Sequence, residues 1–428
     1  METQILIGPD YELKGKDRTN SLNMPNQLGA GSLTSQCIDW LLAPVSFDEF
    51  VTEYWDQSPL YIEGRGADYY SEIYTLSDFD SALSNNSIRS PFLRLVRDGN
   101  EIPLAELSSS GYARANVLEE VFAQYREGAS IVLQFLHEQN ERLMELSRHI
   151  SIALSTYVQV NAYLTPMGER GLGTHFDTHD VFVMQIHGSK DWTLYDRTHL
   201  APFKNERGSR TEMNNAKPTR SFTMSPGDNL YIPRGWIHKA ESRDMSSLHL
   251  TIGVHPLRWG QVFLGAVTEL IKKDQRFRSA LPAGFATCAQ QRQVTLNYFH
   301  ELFSVVTQGI DPVDLLDDAV SSARCGTQPY LKGHLLDLHK IDQIDQSTRL
   351  KIRNIDGLSI EDDDSIVRVS YHGKVMECPA VLSESLRFVT GKEVFTTSEL
   401  PDMLTTKDKL VFTRRLVKEG LLTFADEM

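Results

Sequence analysis

The stretch from residue 157 to residue 254 consists of short segments with a period of two, and this pattern restricts the fold more than any other feature. In YVQVNAYL, which begins at Tyr157, apolar residues share one face of a strand and polar residues share the other. Similar runs follow at 181–186, 192–195, 221–224, 229–232 and 247–254. Gly and Pro turns separate several of them. Many short strands with such turns predict a small barrel or jelly roll, and the polar face predicts an inner wall that lines a site.

Two motifs in this stretch contain groups that bind metals. The first is GTHFD, in which His175 and Asp177 project from one face of a predicted strand and Phe176 from the other. The second is PRGWIH, which ends at His238 on a later strand. Two imidazoles and one carboxylate on facing strands form the facial triad of non-haem Fe(II) oxygenases, and three protein ligands leave positions for a cosubstrate and dioxygen. A fourth protein ligand would instead indicate a structural zinc site.

Taken singly, these motifs are weak. An HxD tripeptide occurs by chance, and a lone histidine on a strand is more often a hydrogen-bonded core residue than a ligand. The chain also has 13 histidines, so a chance grouping is easy to find. The combination of HxD, LYIPRGWIH and the surrounding strand pattern nevertheless favours a metal site.

The composition excludes several classes of protein. There are 43 basic and 57 acidic side chains among the 428 residues, and the net charge of −14 is opposite in sign to that of proteins that coat DNA or basic proteins that bind membranes. No apolar run reaches the ~18 residues that a membrane helix needs, and the N-terminus lacks the pattern of a signal peptide. The four scattered cysteines fit a reducing compartment. We therefore predict a cytoplasmic protein that binds neither DNA nor membranes.

Changes of pattern along the chain predict four regions. They are a flexible N-terminal extension at 1–35, a barrel domain at 36–255, a helical segment at 256–345 and a C-terminal module at 346–428. The extension is polar and rich in Gly, Ser and Asn. The helical segment carries apolar stripes that include Trp259 and Phe303, and the C-terminal module combines a β-hairpin with a helix that ends near Gly420.

The C-terminal module is not predicted to bind DNA. Residues 346–428 contain 12 Lys and Arg against 14 Asp and Glu, a net charge of 12 − 14 = −2, whereas a DNA-binding module needs a basic face. Five basic residues do gather on one predicted helix: Lys407, Lys409, Arg414, Arg415 and Lys418. We interpret them as a solvated helix face, with a weak contact to ribosomal RNA as the alternative.

The sequence resembles the JmjC-type cupins of the ribosomal-oxygenase group. The resemblance is carried by YWDQSPLYI, by HFD with the following DVFVMQIHGSKDWTLYD, and by LYIPRGWIH, and it covers most of the chain. It implies an α+β fold in which a double-stranded β-helix (the cupin or JmjC jelly-roll barrel) precedes a helical dimerisation segment and a C-terminal winged-helix-like module. Bacterial members of the group hydroxylate an arginine of a ribosomal protein, and eukaryotic members hydroxylate histidines.

The resemblance also implies roles for single residues. The residues that match the iron ligands are His175, Asp177 and His238. Lys190 and Tyr163 match residues that bind the distal carboxylate of 2-oxoglutarate, and Asn161 matches an active-site asparagine. A lysine and a phenol suit this dianion because charge-assisted hydrogen bonds are strong in a partly dry pocket. Without the resemblance, Lys190 would be interpreted as a solvent-exposed lysine in the turn after Gly188.

Three further positions lie near these motifs. His179 falls on the same predicted strand face as His175, where it is a spare ligand, a substrate contact or a group that orients the site, and we favour a role in lining the pocket. Thr251 on the last barrel strand is predicted to face the cosubstrate, with barrel packing as the alternative. Trp236 is predicted to form part of the wall beside the iron.

Together these patterns predict a dioxygenase that depends on Fe(II) and 2-oxoglutarate and hydroxylates an amino-acid side chain of a protein. The resemblance makes a ribosomal protein a candidate substrate and implies a homodimer. Two alternatives stay open: a 2-oxoglutarate oxygenase that acts on a small molecule or peptide natural product, and a non-catalytic metal-binding cupin. The intact triad with Lys190 and Tyr163 argues against the second, because a protein that only binds would not need them.

Overall fold

The structure is a computed structural model that describes most of the chain. The described residues are 30–85, 92–103, 114–197, 199–206, 208–325, 331–353, 358–363, 365–371 and 374–425. The chain divides into two compact units, Met1–His255 and Pro256–Met428. The finer boundaries expected at residues 35 and 345 stay predictions. No helix within the described ranges is long and apolar enough to cross a membrane.

The first unit contains eleven strands and six helices in its described part. The strands are β1 (Leu60–Ile62), β2 (Leu93–Arg97), β3 (Asn100–Ile102), β4 (Ser130–Leu133), β5 (Tyr157–Thr165), β6 (Asp180–His187), β7 (Lys190–Arg197), β8 (Pro218–Met224), β9 (Asn229–Ile232), β10 (Trp236–Ser242) and β11 (Ser247–His255). The helices are α1 (Ala30–Leu42), α2 (Phe47–Glu49), α3 (Leu76–Asn85), α4 (Arg114–Arg126), α5 (Glu141–Ala153) and α6 (Arg210–Asn215).

These strands form two sheets that enclose a cavity. The larger sheet has eight strands in the order β1-β9-β6-β11-β5-β4-β2-β3, and the smaller has the order β10-β7-β8. A cluster of buried side chains joins the two sheets, with Val183 and Leu230 from the larger and Leu194 and Met224 from the smaller. The short, antiparallel strands expected between residues 157 and 254 are therefore present, and they curl into the two walls of a jelly roll.

Strand β5 shows why the sequence alternates. Its apolar residues Val158, Val160 and Ala162 are buried in the main core, which the helices α1 and α5 also enter. The intervening polar residues Asn161 and Tyr163 line the cavity between the sheets. The predicted apolar outer face and polar inner face of this strand are confirmed, because helices cover one side of the sheet and the cavity occupies the other.

Helix α1 begins a few residues before the boundary that the sequence predicts at residue 35. Helix α1 begins at Ala30, so residues 30–35 of the expected extension are helical, while 1–29 lie outside the described residues. Packing explains the difference: Trp40 is 2% exposed and stacks on Tyr69, with the ring centroids 5.3 Å apart. Local polarity indicated a loose segment, but tertiary contacts of a few aromatic residues fix the helix.

The second unit combines helices with two small sheets. Its helices are α7 (Trp259–Lys273), α8 (Ala289–Gln308), α9 (Pro312–Cys325), α10 (His334–Lys340), α11 (Ser383–Thr390) and α12 (Thr406–Lys418). Its strands are β12 (Arg349–Ile352), β13 (Ser359–Asp362), β14 (Ile366–Tyr371), β15 (Lys374–Pro379), β16 (Phe395–Thr396) and β17 (Leu422–Phe424). They form the sheets β16-β12-β17 and β13-β14-β15. The expected C-terminal hairpin is β14 with β15.

The basic residues on α12 are not simply solvated. Lys409 is 9% exposed, and its Nζ lies 3.1 Å from Oδ1 of Asp402. Arg414 donates to the backbone carbonyls of Asp342 and Ile344 at 3.1 and 3.0 Å. The expectation of one solvated face is therefore wrong for these two cations, because they bind neighbouring segments of their own unit.

Candidate active site

The backbone brings the two metal-binding motifs together. His175 and His238 form an isolated antiparallel bridge, in which each backbone N–H donates to the carbonyl of the other at 3.1 and 2.8 Å. The Gly235 N–H donates to the carbonyl of Asp177 at 2.9 Å. Main-chain hydrogen bonds, rather than the side chains themselves, thus set the spacing of the three residues.

The imidazoles are oriented so that the same nitrogen of each points at the carboxylate. Nδ1 of His175 lies 2.8 Å from the Gly173 carbonyl, and Nδ1 of His238 lies 3.0 Å from the Trp236 carbonyl. A carbonyl only accepts, so each Nδ1 carries the proton and each Nε2 is left with a lone pair. These Nε2 atoms lie 3.9 and 3.7 Å from the oxygens of Asp177, and the three ligand atoms all fall within 4.8 Å of one another. Two nitrogens and one oxygen at this spacing can hold one divalent cation.

The local backbone is not the continuous strand that the sequence suggested. Only His175 makes a bridge, Thr178 and His179 lie in a bend, and β6 starts at Asp180. The prediction that His179 shares a regular strand face with His175 is therefore wrong, although His179 does line the cavity. One bridge is enough to position the triad, because the Gly235 N–H holds the backbone of Asp177 separately.

Burial and neighbouring imidazoles act in opposite directions on Asp177. Burial opposes ionisation of its carboxyl, but the nearby His175, His179 and His238 outweigh this, and the pKa of Asp177 lies below its ordinary value. Burial, helped by His175, lowers the pKa of His238 to about 4. Asp177 is therefore ionised and His238 is neutral at neutral pH, the forms in which these two side chains bind a metal.

A buried ionic network supports the turn that carries His238. Asp180 is fully buried and accepts from the hydroxyl of Tyr231 at 2.8 Å and from the backbone N–H and Nη1 of Arg234 at 3.0 and 3.1 Å. Arg234 also donates to Asp56 at 3.0 Å. The next residue, Gly235, has φ +83°, and a Cβ there would lie 2.1 Å from the carbonyl oxygen of His199. Sequence reasoning missed this network, since its members are far apart in the chain.

The triad opens onto a cavity of about 340 Å³ between the sheets. The lining residues include all but one of the positions predicted from the sequence: Asn161, Tyr163, His175, Asp177, His179, Lys190, His238 and Thr251. The roles assigned to them stay predictions. Trp236 is not among the lining residues that the structure describes; its Nε1 donates to the Gln57 carbonyl at 3.3 Å. A register shift between residues 236 and 238 turns it away, and Trp192 instead lies beside His238, with centroids 5.9 Å apart.

Lys190 lies at the inner end of the cavity and is only 4% exposed. Its Nζ donates to the Thr165 hydroxyl at 3.0 Å, and the Ser130 hydroxyl also donates to Thr165 at 3.0 Å. Among the described residues, no carboxylate forms an ion pair with this amine, and burial lowers its pKa to about 7. The alternative of a solvent-exposed turn lysine is contradicted by this burial. Thr165 lies two residues after Tyr163 on the same strand and so shares the inward face of Asn161 and Tyr163. The period of two in the sequence could therefore have identified it.

Tyr163 and Asn161 form the next part of the wall. Oδ1 of Asn161 accepts from the Phe135 N–H at 3.1 Å, which fixes the amide. Burial, with a contribution from Asp177, raises the pKa of Tyr163 to about 12, so the phenol keeps its proton and can donate. His249 stacks on Tyr163 with centroids 5.0 Å apart and planes 1° from parallel. Sequence reasoning left the role of His249 undefined.

Comparison with known proteins identifies the domain that contains this site. The family model of the JmjC domain matches residues 131–262, which include the triad, Lys190 and Tyr163. The chain contains a JmjC domain. The jelly roll described above is its cupin barrel.

The similarity to curated relatives extends beyond this domain. Ribosomal oxygenase 2 of Mus musculus is 31% identical over 258 residues, covering 58% of this chain and 54% of the relative. The bifunctional lysine-specific demethylase and histidyl-hydroxylase NO66 of Dictyostelium discoideum is 26% identical, covering 90% of this chain and 81% of the relative. The resemblance to the JmjC-type ribosomal oxygenases is thereby confirmed. The chain spans little more than half the length of the mouse and rat relatives that it matches.

A solved structure supports the same fold. The X-ray structure of E. coli ycfD superposes with a TM-score of 0.51 at 15% identity, covering 89% of this chain and 98% of that chain. At this identity the likeness speaks for the fold alone. The JmjC cupin fold with its helices and sheets is therefore shown.

Proposed function

We propose that this protein is an Fe(II)- and 2-oxoglutarate-dependent oxygenase that hydroxylates an amino-acid side chain of a protein. One observation carries the proposal: a triad of two Nε2 atoms and one carboxylate opens into the same cavity as a buried lysine. A metal triad alone would fit many cupins. A buried cation beside it calls for an anionic ligand as well.

The donor set fits Fe(II). Two imidazoles and one carboxylate on one side of a metal leave the opposite positions open, which is the arrangement of non-haem Fe(II) oxygenases. His175, Asp177 and His238 would hold the metal. When bound with 2-oxoglutarate and dioxygen, Fe(II) supplies oxidative decarboxylation to succinate and CO2 coupled to hydroxylation of a C–H bond.

The inner end of the cavity fits the distal carboxylate of 2-oxoglutarate. Lys190 and the Thr165 hydroxyl already form a hydrogen-bonded pair there, and Tyr163 keeps a phenolic proton to donate. A carboxylate beside Lys190 would return its depressed pKa toward the ordinary value, since the anion favours the ammonium form. Asn161 and Thr251 face each other across the β5–β11 ladder and would border the same ligand.

The remaining wall keeps water away from the reacting atoms. Trp192 is 5% exposed and lies against both His238 and His249, with ring centroids 5.9 Å away in each case. Such a wall lowers the local dielectric and strengthens the ion pair expected at Lys190. The chain's own contribution is therefore to orient the metal, anchor the far end of the cosubstrate and exclude water.

The substrate is proposed to be a protein, with a ribosomal protein as the first candidate. The support is the resemblance to relatives named ribosomal oxygenase and histidyl-hydroxylase. The net charge of −14 suits a basic partner, as ribosomal proteins commonly are. The cytoplasmic location that the composition indicates stays a prediction.

We also propose that the protein is a homodimer through the helices at 256–345, and that residues 346–428 form a winged-helix-like module. Three side chains support the first point: Trp259 is 83% exposed, Phe303 is 73% exposed and Phe263 is 52% exposed. Such apolar exposure is typical of a surface that a partner covers, and two-fold pairing is the commonest arrangement of homo-oligomers.

The proposed activity is tested with ribosomal proteins as substrate. The purified protein is incubated with them, Fe(II), 2-oxoglutarate and air, and succinate and the mass increase of one oxygen atom are measured together. Asp177→Ala should remove both products, whereas His300→Ala, at an exposed histidine of α8, is the matched control and should retain both. Succinate without a modified protein would argue for a small-molecule substrate, and the absence of both from the wild type would reject the proposal.

The same question can be asked in cells. Mass spectrometry of ribosomal proteins from cells with and without the gene should show one side chain that carries oxygen only when the gene is present. Identical modification in both would remove ribosomal proteins from consideration.

A further inference from the structure

Trp192 on β7 is the one indole among the described residues that line the cavity. Its ring lies beside His238 of the proposed metal triad, with the centroids 5.9 Å apart and the planes 30° from parallel. The side chain is 5% exposed, so the surrounding residues hold the ring in place on the cavity wall. The proposed function gives this indole only the passive task of excluding water.

The surroundings of Trp192 fix its ring but leave its nitrogen unpaired. In the smaller sheet, Trp192 is opposite Ala240 on β10 and Phe222 on β8, and both neighbours pack against the same core cluster. No hydrogen-bond acceptor among the described residues meets the buried Nε1. A buried indole N–H usually has such a partner, so an exception beside a metal site points to a role other than packing.

Few other side chains in the cavity are as easily oxidised as this indole. The described lining residues include no Cys and no Met, and Tyr163 is the one phenol among them. Tyr163 stacks on His249, with ring centroids 5.0 Å apart. His249 in turn meets Trp192, with ring centroids 5.9 Å apart. In this series of ring contacts, Trp192 is therefore the member that lies against the triad.

Turnover without a substrate produces an oxidant that another C–H bond must consume. In the proposed reaction, decarboxylation of 2-oxoglutarate supplies two of the four electrons that dioxygen accepts, and one oxygen atom enters succinate. A substrate C–H bond supplies the other two electrons and receives the second oxygen atom. When no substrate is bound, a C–H bond of the cavity wall is the nearest replacement, and a site of this kind has to limit such competing reactions.

We propose that Trp192 is a self-hydroxylation site, at which the indole takes up the second oxygen atom when the cavity contains 2-oxoglutarate but no substrate. The balanced reaction converts 2-oxoglutarate, dioxygen and tryptophan into succinate, carbon dioxide and hydroxytryptophan, and one ring C–H becomes C–OH. This rests on the proposed oxygenase function and adds a modified residue to it. The new hydroxyl lies on the wall beside His238 and marks molecules that have turned over without a substrate.

The test maps the position of the added oxygen. The protein alone is incubated with Fe(II), 2-oxoglutarate and isotopically labelled dioxygen, and its peptides are analysed by mass spectrometry. Wild-type protein should gain one labelled oxygen atom at Trp192 and release succinate. Trp259 is 83% exposed and reports oxidants that diffuse in solution, so its oxidation should not exceed that in a sample without 2-oxoglutarate.

Two variants show whether the modification depends on the metal site. Asp177→Ala removes a metal ligand and should leave Trp192 unmodified. Trp236→Phe is the matched control, because this indole is absent from the described lining residues and its Nε1 donates to the Gln57 carbonyl. Trp236→Phe should still gain labelled oxygen at Trp192.

The position of the indole is also tested without turnover. Co(II) quenches the fluorescence of nearby indoles, and it is added without 2-oxoglutarate or oxygen after calorimetry has measured its binding. Trp192→Phe should lose part of the quenching that the wild type shows. Trp40→Phe, in the main core outside the described lining residues, should keep all of it. Equal quenching in Trp192→Phe and the wild type would place the indole away from the metal and overturn the inference.

The outcomes distinguish this inference from the function on which it rests. A protein that binds neither Fe(II) nor 2-oxoglutarate in anaerobic calorimetry fails as an oxygenase. A protein that binds both but leaves Trp192 unmodified after prolonged incubation, whether or not succinate is formed, overturns the inference alone. Labelled oxygen at Tyr163 or at the triad histidines instead of Trp192 also overturns it, because another side chain then consumes the oxidant.

Discussion

The cavity of the first unit and the helices of the second depart in opposite ways from the usual distribution of residues. The cavity buries polar groups: Lys190 is 4% exposed and His249 is 5% exposed. The helices expose apolar groups: Trp259 is 83% exposed, and α7 contains no buried residue. Both arrangements cost stability in an isolated chain, because buried polar groups lose water and exposed apolar groups order it.

The difference indicates what each region binds. A buried amine that lacks an acidic partner among the described residues is stabilised by an anion, so the cavity calls for a small charged ligand. An exposed apolar helix face is stabilised by another apolar surface, so the helices call for a macromolecular partner. The predictions below test the two regions with separate readouts.

The largest effect is expected at the metal triad. His175→Ala and Asp177→Ala each remove a ligand and should abolish 2-oxoglutarate turnover, while the melting temperature stays near that of the wild type because neither side chain belongs to the core. Turnover and thermal melting are measured on the same samples, with His300→Ala as the control. Retained turnover in either variant contradicts the assignment of the triad.

The next effect concerns the anion site. Lys190→Ala leaves the distal carboxylate of 2-oxoglutarate without its cation, and such truncations of buried charge pairs weaken binding on the order of several hundredfold. Lys190→Arg should recover part of the affinity. Lys239→Ala on the neighbouring strand, outside the described lining residues, is the matched control. Titration of 2-oxoglutarate measures all three, and unchanged affinity in Lys190→Ala would return this lysine to a purely structural role.

Most residues that line the cavity beside the triad could be picked out from the sequence because their signals are local. A period of two separates inward from outward residues on β5, and the HxD and PRGWIH motifs contain the triad. Thr165 was missed only because the segment was ended one residue too early, since it continues the inward face of the strand.

Other features depend on contacts that no local pattern records. The shift of register before His238 turns Trp236 out of the cavity, and spacing alone cannot reveal such a bulge. The hydrogen bonds of Asp180 to Arg234 join residues that the fold, not the sequence, brings together. The packing of α1 through Trp40 against Tyr69 likewise joins residues that are far apart in the chain.

A smaller effect is expected at the exposed apolar helices of the second unit. Light scattering at micromolar concentration should report about twice the chain mass of 48.5 kDa. Phe303→Glu places a charge on each copy of a symmetric interface and should weaken the dimer on the order of a hundredfold. Val375→Glu, at a 54% exposed residue of β15, is the matched control. A wild-type chain that is monomeric over that range would leave the helix face without a partner copy.

The smallest effect is expected at Thr165 on β5 of the larger sheet, for which a threonine of the smaller sheet provides a comparison. Thr165→Val keeps the shape of the side chain but removes the hydroxyl that binds Lys190 and Ser130 at 3.0 Å each. Loss of one hydrogen bond to a charged group should raise the KM for 2-oxoglutarate about tenfold and leave kcat nearly unchanged, because the contact lies far from the reacting carbon. Thr223→Val on β8 removes a hydroxyl that binds the exposed Asp191 and is the matched control. If kcat falls and KM does not change, Thr165 acts on the chemistry rather than on the anion, and the inner end of the cavity is not where the cosubstrate is anchored.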